Sequence, residues 1–166
     1  LGHATPMSIM VGTGRGATAG VLIRNAEALE TLAMVDVLVV DKTGTLTEGK
    51  PRLLTVAPAS GFVEADLLRI VAGLEQSSEH PLAAAIVSGA REKGVVPAKA
   101  QDFRSLTGKG VTGTVEGHTV AVGTVPFLNE LNVATESLLD QAHPLRQEGQ
   151  TVMFAAMDRK PAGLLG

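Results

Sequence analysis

The segment Val37-Leu38-Val39-Val40-Asp41-Lys42-Thr43-Gly44-Thr45-Leu46-Thr47 constrains this chain more than any other. Four apolar residues without a polar interruption read as a strand buried on both faces, the pattern of a parallel sheet rather than of a half-solvated hairpin. Such a strand opens at its carboxyl end into the crevice where open α/β sheets take their ligands. Asp41 stands at that end. A carboxylate there can attack a phosphoryl group and hold it as an aspartyl phosphate, dividing one displacement into two. The flanking threonine hydroxyls are donors, Gly44 permits close backbone approach to phosphate oxygens, and Lys42 supplies positive charge. The competing reading is an exposed turn after a strand, where Asp, Lys, Thr and Gly are all common.

The remainder of the 166 residues is enough for about one domain, or one domain and a piece of another. Residues 1–20 hold five glycines and a single Arg, too little for a self-sufficient core. From Val21 to Met34, Leu22, Ala26, Leu29 and Ala33 recur at helical spacing. Leu53 to Val56 reads as a short strand. A helix from Glu64, with Leu67, Leu68, Ile70, Val71 and Leu74, stops near Ser77-Ser78, and Pro81 opens a second one that stops at Gly94, so the two form a hairpin. Val111–Val115 and Thr119–Val122 flank Glu116-Gly117-His118 as a β-hairpin. A helix from about Thr135 to Glu148, interrupted by Pro144, precedes a last hairpin of Thr151–Met157 and Pro161–Leu165.

Composition excludes several classes of function. Lys plus Arg is 14 against 17 Asp plus Glu, a net charge of −3, and four Phe with no Trp or Tyr leave few stacking platforms. Nucleic-acid binding is disfavoured on both counts. With no cysteine there is no disulfide framework, thiolate metal site or thiol nucleophile in these residues. No apolar run approaches the roughly 18 residues that span a bilayer. The start, Leu1-Gly2-His3-Ala4-Thr5-Pro6, has neither an initiating Met nor a charged leader, and Gly163-Leu164-Leu165-Gly166 ends within a strand-like run. Both ends suggest an internal fragment.

Other residues offer chemistry more quietly. His80 precedes Pro81 at a helix start, five positions after Glu75, and its ring could face a ligand or simply cap the helix. Gly108-Lys109-Gly110 could bring backbone close to a ligand or form a plain turn before the next strand. Gly12-Thr13-Gly14-Arg15-Gly16-Ala17 satisfies a dinucleotide fingerprint, but no full strand precedes it. His3, His118 and His143 are too dispersed for a metal site.

The string Asp41-Lys42-Thr43-Gly44-Thr45-Leu46-Thr47 resembles the phosphorylation motif of the P-type ATPases, and Ser78-Glu79-His80-Pro81-Leu82 is similar to the motif of their heavy-metal-transporting branch. Ala4-Thr5-Pro6-Met7-Ser8-Ile9-Met10-Val11-Gly12 and Gly20-Val21-Leu22-Ile23 resemble the end of the metal-site helix and its extension in copper and silver exporters, although His3 stands where an apolar residue is usual. The resemblance covers essentially the whole chain and implies an α/β organisation. Residues 1–34 would be a transmembrane helix end and its cytoplasmic extension, and 35–50 the first part of a Rossmann-like phosphorylation domain. Residues 51–163 would be a nucleotide-binding domain, a twisted antiparallel sheet carrying a helical hairpin, with 164–166 returning to the phosphorylation domain.

The resemblance further implies that ATP phosphorylates Asp41 and that Lys42, Thr43, Gly44 and Thr45 form the phosphate loop. Asp41 and the Thr43 carbonyl would hold Mg²⁺, and Glu75, His80, Gly108, Gly110 and Gly123 would bind ATP, Thr124 standing where relatives have Asn or Gly. The transported ion would be a heavy metal, copper(I) first. Its ligands would lie outside this chain, in a Cys-Pro-Cys site just before Leu1, and other segments would anchor this cytoplasmic portion in the membrane. Soluble phosphatases of the same superfamily carry a second Asp two positions after the nucleophile, where this chain has Thr43. A soluble phosphatase and a bare ATP-binding module are the alternative readings.

Overall fold

The computed structural model describes residues 4–166, with side chains described from Met7 onward, so His3 lies outside the described residues. Two compact units divide between Glu48 and Gly49.

The first unit begins with helix α1 (Ala4–Thr18). It ends in a Schellman motif: Gly20 takes φ +82°, the Gly20 amide donates to the Ala17 carbonyl, and the Val21 amide donates to the Gly16 carbonyl at 2.8 Å. Helix α2 (Ala26–Ala33) starts later than the Val21 to Met34 periodicity predicts, because Asn25 caps it, its Oδ1 accepting from the Ala28 amide at 2.8 Å. The glycine fingerprint at 12–17 lies inside α1, so no strand-turn-helix forms there and the dinucleotide reading fails. No helix among the described residues is long and apolar enough to cross a membrane.

Val37 to Val40 corrects the expectation of a strand buried on both faces. The run has no ladder partners among the described residues, and Val37, Leu38 and Val39 are 77%, 69% and 91% exposed. A parallel strand exists only where neighbours take up its hydrogen bonds and cover both faces, and none does so among the described residues.

The second unit is a six-stranded antiparallel sheet, β1 (Val56–Pro58), β2 (Ala100–Leu106), β3 (Gly110–Val115), β4 (His118–Gly123), β5 (Met153–Met157) and β6 (Lys160–Leu165), in the order β1-β6-β5-β4-β3-β2. Helices α3 (Glu64–Glu75) and α4 (Pro81–Glu92) form the expected hairpin, and α5 (Val125–Glu130) and α6 (Glu136–Gln147) follow β4. Period-2 alternation feeds two cores. Val120 and Val122 join Leu67, Leu68, Val71, Leu74 and Ile86, while Ala121 between them joins Phe127, Leu128, Leu138 and Phe154. Each fully buried Leu or Phe contributes on the order of 1.5–3 kcal/mol, so the sheet is a stiff platform between two helical layers.

Four details depart from expectation. β1 starts at Val56 rather than Leu53, since the Leu54 and Thr55 amides both donate to the Gly166 carbonyl and ladder pairing begins at Val56 with Leu165. β2 has no signal in its sequence, being an exposed edge strand whose register breaks between Gln101 and Arg104, where Asp102 takes φ +52°. α5 is too short to show a helical period. α6 runs through Pro144, which sits in its last turn.

Candidate functional site

In the first unit, Asp41 is extended and its Oδ1 accepts a hydrogen bond from the Thr43 amide at 3.2 Å, leaving Oδ2 without a partner among the described residues. Thr43 (φ −81°, ψ 120°) and Gly44 (φ 78°, ψ −4°) have the dihedrals of a type II turn, whose third position demands positive φ and therefore glycine. The Gly44 amide donates to Thr47 Oγ1 at 3.3 Å, closing the loop. The result is an exposed carboxylate beside a turn of backbone amides, with Lys42 and Thr45 exposed around it. Mg²⁺ takes one or two carboxylates and completes its shell with phosphate oxygens and water. Asp41 and the Thr43 carbonyl suit that role, and no group of three or more His, Cys, Asp or Glu among the described residues makes a cage. The donor set fits Mg²⁺ in company with a phosphate.

In the second unit, Glu75 is the last residue of α3 and only 2% exposed. Among the described residues its Oε1 has no hydrogen-bond partner. Burial pushes its carboxyl above the usual carboxylate range, and a hydrogen bond from Ser78 pulls it back in part. A buried, unpaired polar oxygen costs about 1–3 kcal/mol, and its persistence marks a place where a donor belongs. Ser78 links this carboxylate to His80: the His80 amide donates to Ser78 Oγ at 3.3 Å, and the Ser78 amide donates to the Glu75 carbonyl at 2.9 Å. Single-residue reasoning passes over Ser78, although the motif string around it was the available signal.

His80 does both things the sequence left open. It caps α4, its Nδ1 accepting from the Leu82 amide at 3.2 Å. An Nδ1 that accepts carries no proton, so the neutral ring bears its hydrogen on Nε2, the nitrogen left to meet a ligand.

The glycines divide by role. Gly110 and Gly123 are partners across β3 and β4. At both, the place of a Cβ is taken by the protein itself, including the Phe127 ring at 2.8 Å. Gly108 is different. It occupies the third position of the Leu106–Lys109 turn with φ +72°, where the Lys109 amide donates to the Leu106 carbonyl at 3.0 Å, and the space around it is open. Lys109 is held by α5 at both ends: its carbonyl accepts from the Thr124 amide at 2.9 Å, and its Nζ meets Glu130 Oε1 and Oε2 at 2.9 and 2.7 Å. Thr124 precedes α5 without a side-chain capping bond. The structure thus gathers Glu75, Ser78 and His80 at the α3–α4 turn and Gly108, Gly110 and Gly123 at one end of β3 and β4.

The chain belongs to the haloacid dehalogenase-like hydrolases, whose family model matches residues 35–165. Within that class its likeness is to heavy-metal-transporting P-type ATPases. It is 52% identical over 165 residues to a copper-exporting P-type ATPase of Legionella pneumophila, covering 99% of this chain and 22% of that protein. The crystal structure of a zinc-transporting PIB-type ATPase in its E2.Pi state matches with a TM-score of 0.77 and 34% identity, over 97% of this chain and 26% of that one. The crystal structure of the N-domain of HMA6, a copper-transporting P-type ATPase, matches with a TM-score of 0.58 and 26% identity, over 70% of this chain and 96% of the domain. The chain spans about a fifth of the length of the curated relatives it matches.

Proposed function

We propose that this chain is the portion of an ATP-driven heavy-metal pump that binds ATP and is phosphorylated on Asp41. Residues 1–34 would then extend from the membrane, 35–50 begin the phosphorylation domain, 51–163 bind the nucleotide and 164–166 lead back. The observation that carries the reading is the buried Glu75 carboxylate with its unpartnered Oε1, hydrogen-bonded through Ser78 to the His80 turn. A buried acceptor suits the amino group of adenine. His80 Nε2 adds a donor, and the open Gly108 turn admits the nucleotide close to backbone.

Asp41 Oδ2 then forms a bond to the γ-phosphorus of ATP as the bond to the β-phosphate oxygen breaks, and ADP leaves with the electron pair. The Gly44 turn and Lys42 hold the transferred oxygens. Mg²⁺, bound by Asp41 and the Thr43 carbonyl, would offset charge on those oxygens. Thr43 cannot act as a base toward water, and loss of general-base help is worth about two to four orders of magnitude. The aspartyl phosphate is therefore long-lived, which suits a transport cycle better than a phosphatase. Copper(I) is the favoured cargo, since relatives at 52% identity are copper-exporting and copper-transporting P-type ATPases, with a silver exporter at 48%.

Alone, the 166-residue chain binds ATP without turning it over, because the apolar run before Asp41 lies uncovered and forms no strand. In the full-length protein, radiolabelled ATP yields a hydroxylamine-labile phosphoenzyme that is absent from Asp41→Asn. Equal labelling of both proteins would refute the assignment.

A further inference from the structure

We propose, resting on the nucleotide site assigned above, that Glu130 is a positioning residue for that site, holding the Gly108-Lys109-Gly110 turn in place through Lys109. Glu130 is the last residue of α5. A carboxylate is disfavoured at a helix C-terminus, where the backbone already presents unpaired carbonyls. What offsets this is the Lys109 ammonium, which meets both Glu130 oxygens at 2.9 and 2.7 Å.

The contact is one of three between α5 and this turn. The Thr124 amide donates to the Lys109 carbonyl at 2.9 Å, and the Phe127 ring lies where a Cβ on Gly110 or Gly123 would be. Thr124 just before α5 and Glu130 at its last position thus grip one residue from opposite ends, and the ring between them closes on the glycine pair. Lys109 lies directly between the open Gly108 and the packed Gly110, so fixing it fixes the peptide planes on either side. A turn already held in its bound conformation costs less to order when ligand arrives. The bridge also occupies the one cation of the turn, so Lys109 acts on the backbone rather than on the triphosphate.

The experiment is a titration of the 166-residue chain by NMR shift perturbation with ATP and with uncharged adenosine. Glu130→Gln and Lys109→Gln should each weaken binding about threefold to fivefold, the scale of an exposed ion pair, and by the same factor for both ligands. Lys109→Arg should bind as the parent does, and the exchanged pair Lys109→Glu with Glu130→Lys should recover most of the affinity. Both side chains are about half exposed, at 47% and 54%, so these variants keep the fold. Parent-like affinity in Glu130→Gln would overturn the proposal. So would a loss confined to ATP that the exchanged pair fails to restore, since Lys109 would then meet phosphate directly. A parent chain that bound neither ligand would refute the nucleotide site itself, and the role of Glu130 with it.

Discussion

Gly110 and Gly123 face each other across β3 and β4 so closely that neither position admits a side chain. A Cβ on Gly110 would lie 2.2 Å from the Val122 carbonyl oxygen and 2.7 Å from the Gly123 Cα, and one on Gly123 would lie 2.4 Å from the Lys109 carbonyl oxygen. The obstructing atoms are mostly backbone in a paired ladder, which cannot rotate aside. Gly123→Ala should therefore cost the chain about 1–3 kcal/mol, read as a lower urea midpoint at unchanged slope. A midpoint equal to the parent's would show that the strands separate more readily than this geometry allows.

Glu75 predicts a pH dependence with a definite sign. Burial raises its carboxyl above the ordinary range, so within the window between the two values the folded chain keeps a proton that the unfolded chain has released. Stability contributed by this group is then present at the acid side of the window and lost as pH rises through it. Glu75→Gln removes the buried charge at nearly constant volume. The ligand-free variant should gain on the order of 1 kcal/mol at neutral pH, its stability should respond less steeply to pH above the carboxylate range, and it should bind ATP more weakly. Urea unfolding at several pH values reads the first two effects. An unaltered pH slope would remove Glu75 as their source.

What the sequence made legible follows local physics. The α3–α4 hairpin announced itself through helical spacing in Leu67, Leu68, Val71 and Leu74 and through Pro81 and Gly94, and β3–β4 through alternation around Glu116-Gly117-His118. β2 and α5 gave no such notice, since an exposed edge strand keeps no alternation and a six-residue helix completes too few turns. Within the candidate site, residue identities were readable but their partners were not. That Glu75 is buried with a bare oxygen, that Ser78 joins it to His80, and that Phe127 rather than open space meets the two paired glycines are facts of packing between segments distant in sequence.

His80 has two roles that substitutions can separate. Its Nδ1 caps α4 by accepting from the Leu82 amide, and Asn at the same place can cap equally well. His80→Asn should keep the parent's thermal midpoint and lose several-fold in ATP affinity, whereas His80→Ala should lose affinity and about 1 kcal/mol of stability together. Should His80→Asn bind ATP like the parent, capping alone would account for the histidine.

Val39 tests whether the segment before Asp41 becomes a strand when its neighbours are supplied. In the 166-residue chain it is 91% exposed, so Val39→Asp should alter the unfolding free energy by no more than about 0.5 kcal/mol. In the full-length protein the same side chain would enter a sheet covered on both faces, where an unpaired carboxylate costs several kcal/mol. Phosphoenzyme labelling on Asp41 should accordingly be lost in full-length Val39→Asp, even though the short chain carrying the same change folds and binds ATP. Comparing ATP titration of the short variant with labelling of the long one separates the two effects. Full labelling in the long variant would mean that Val39 stays exposed there, and that the apolar run is not the strand on which the phosphorylation site is built.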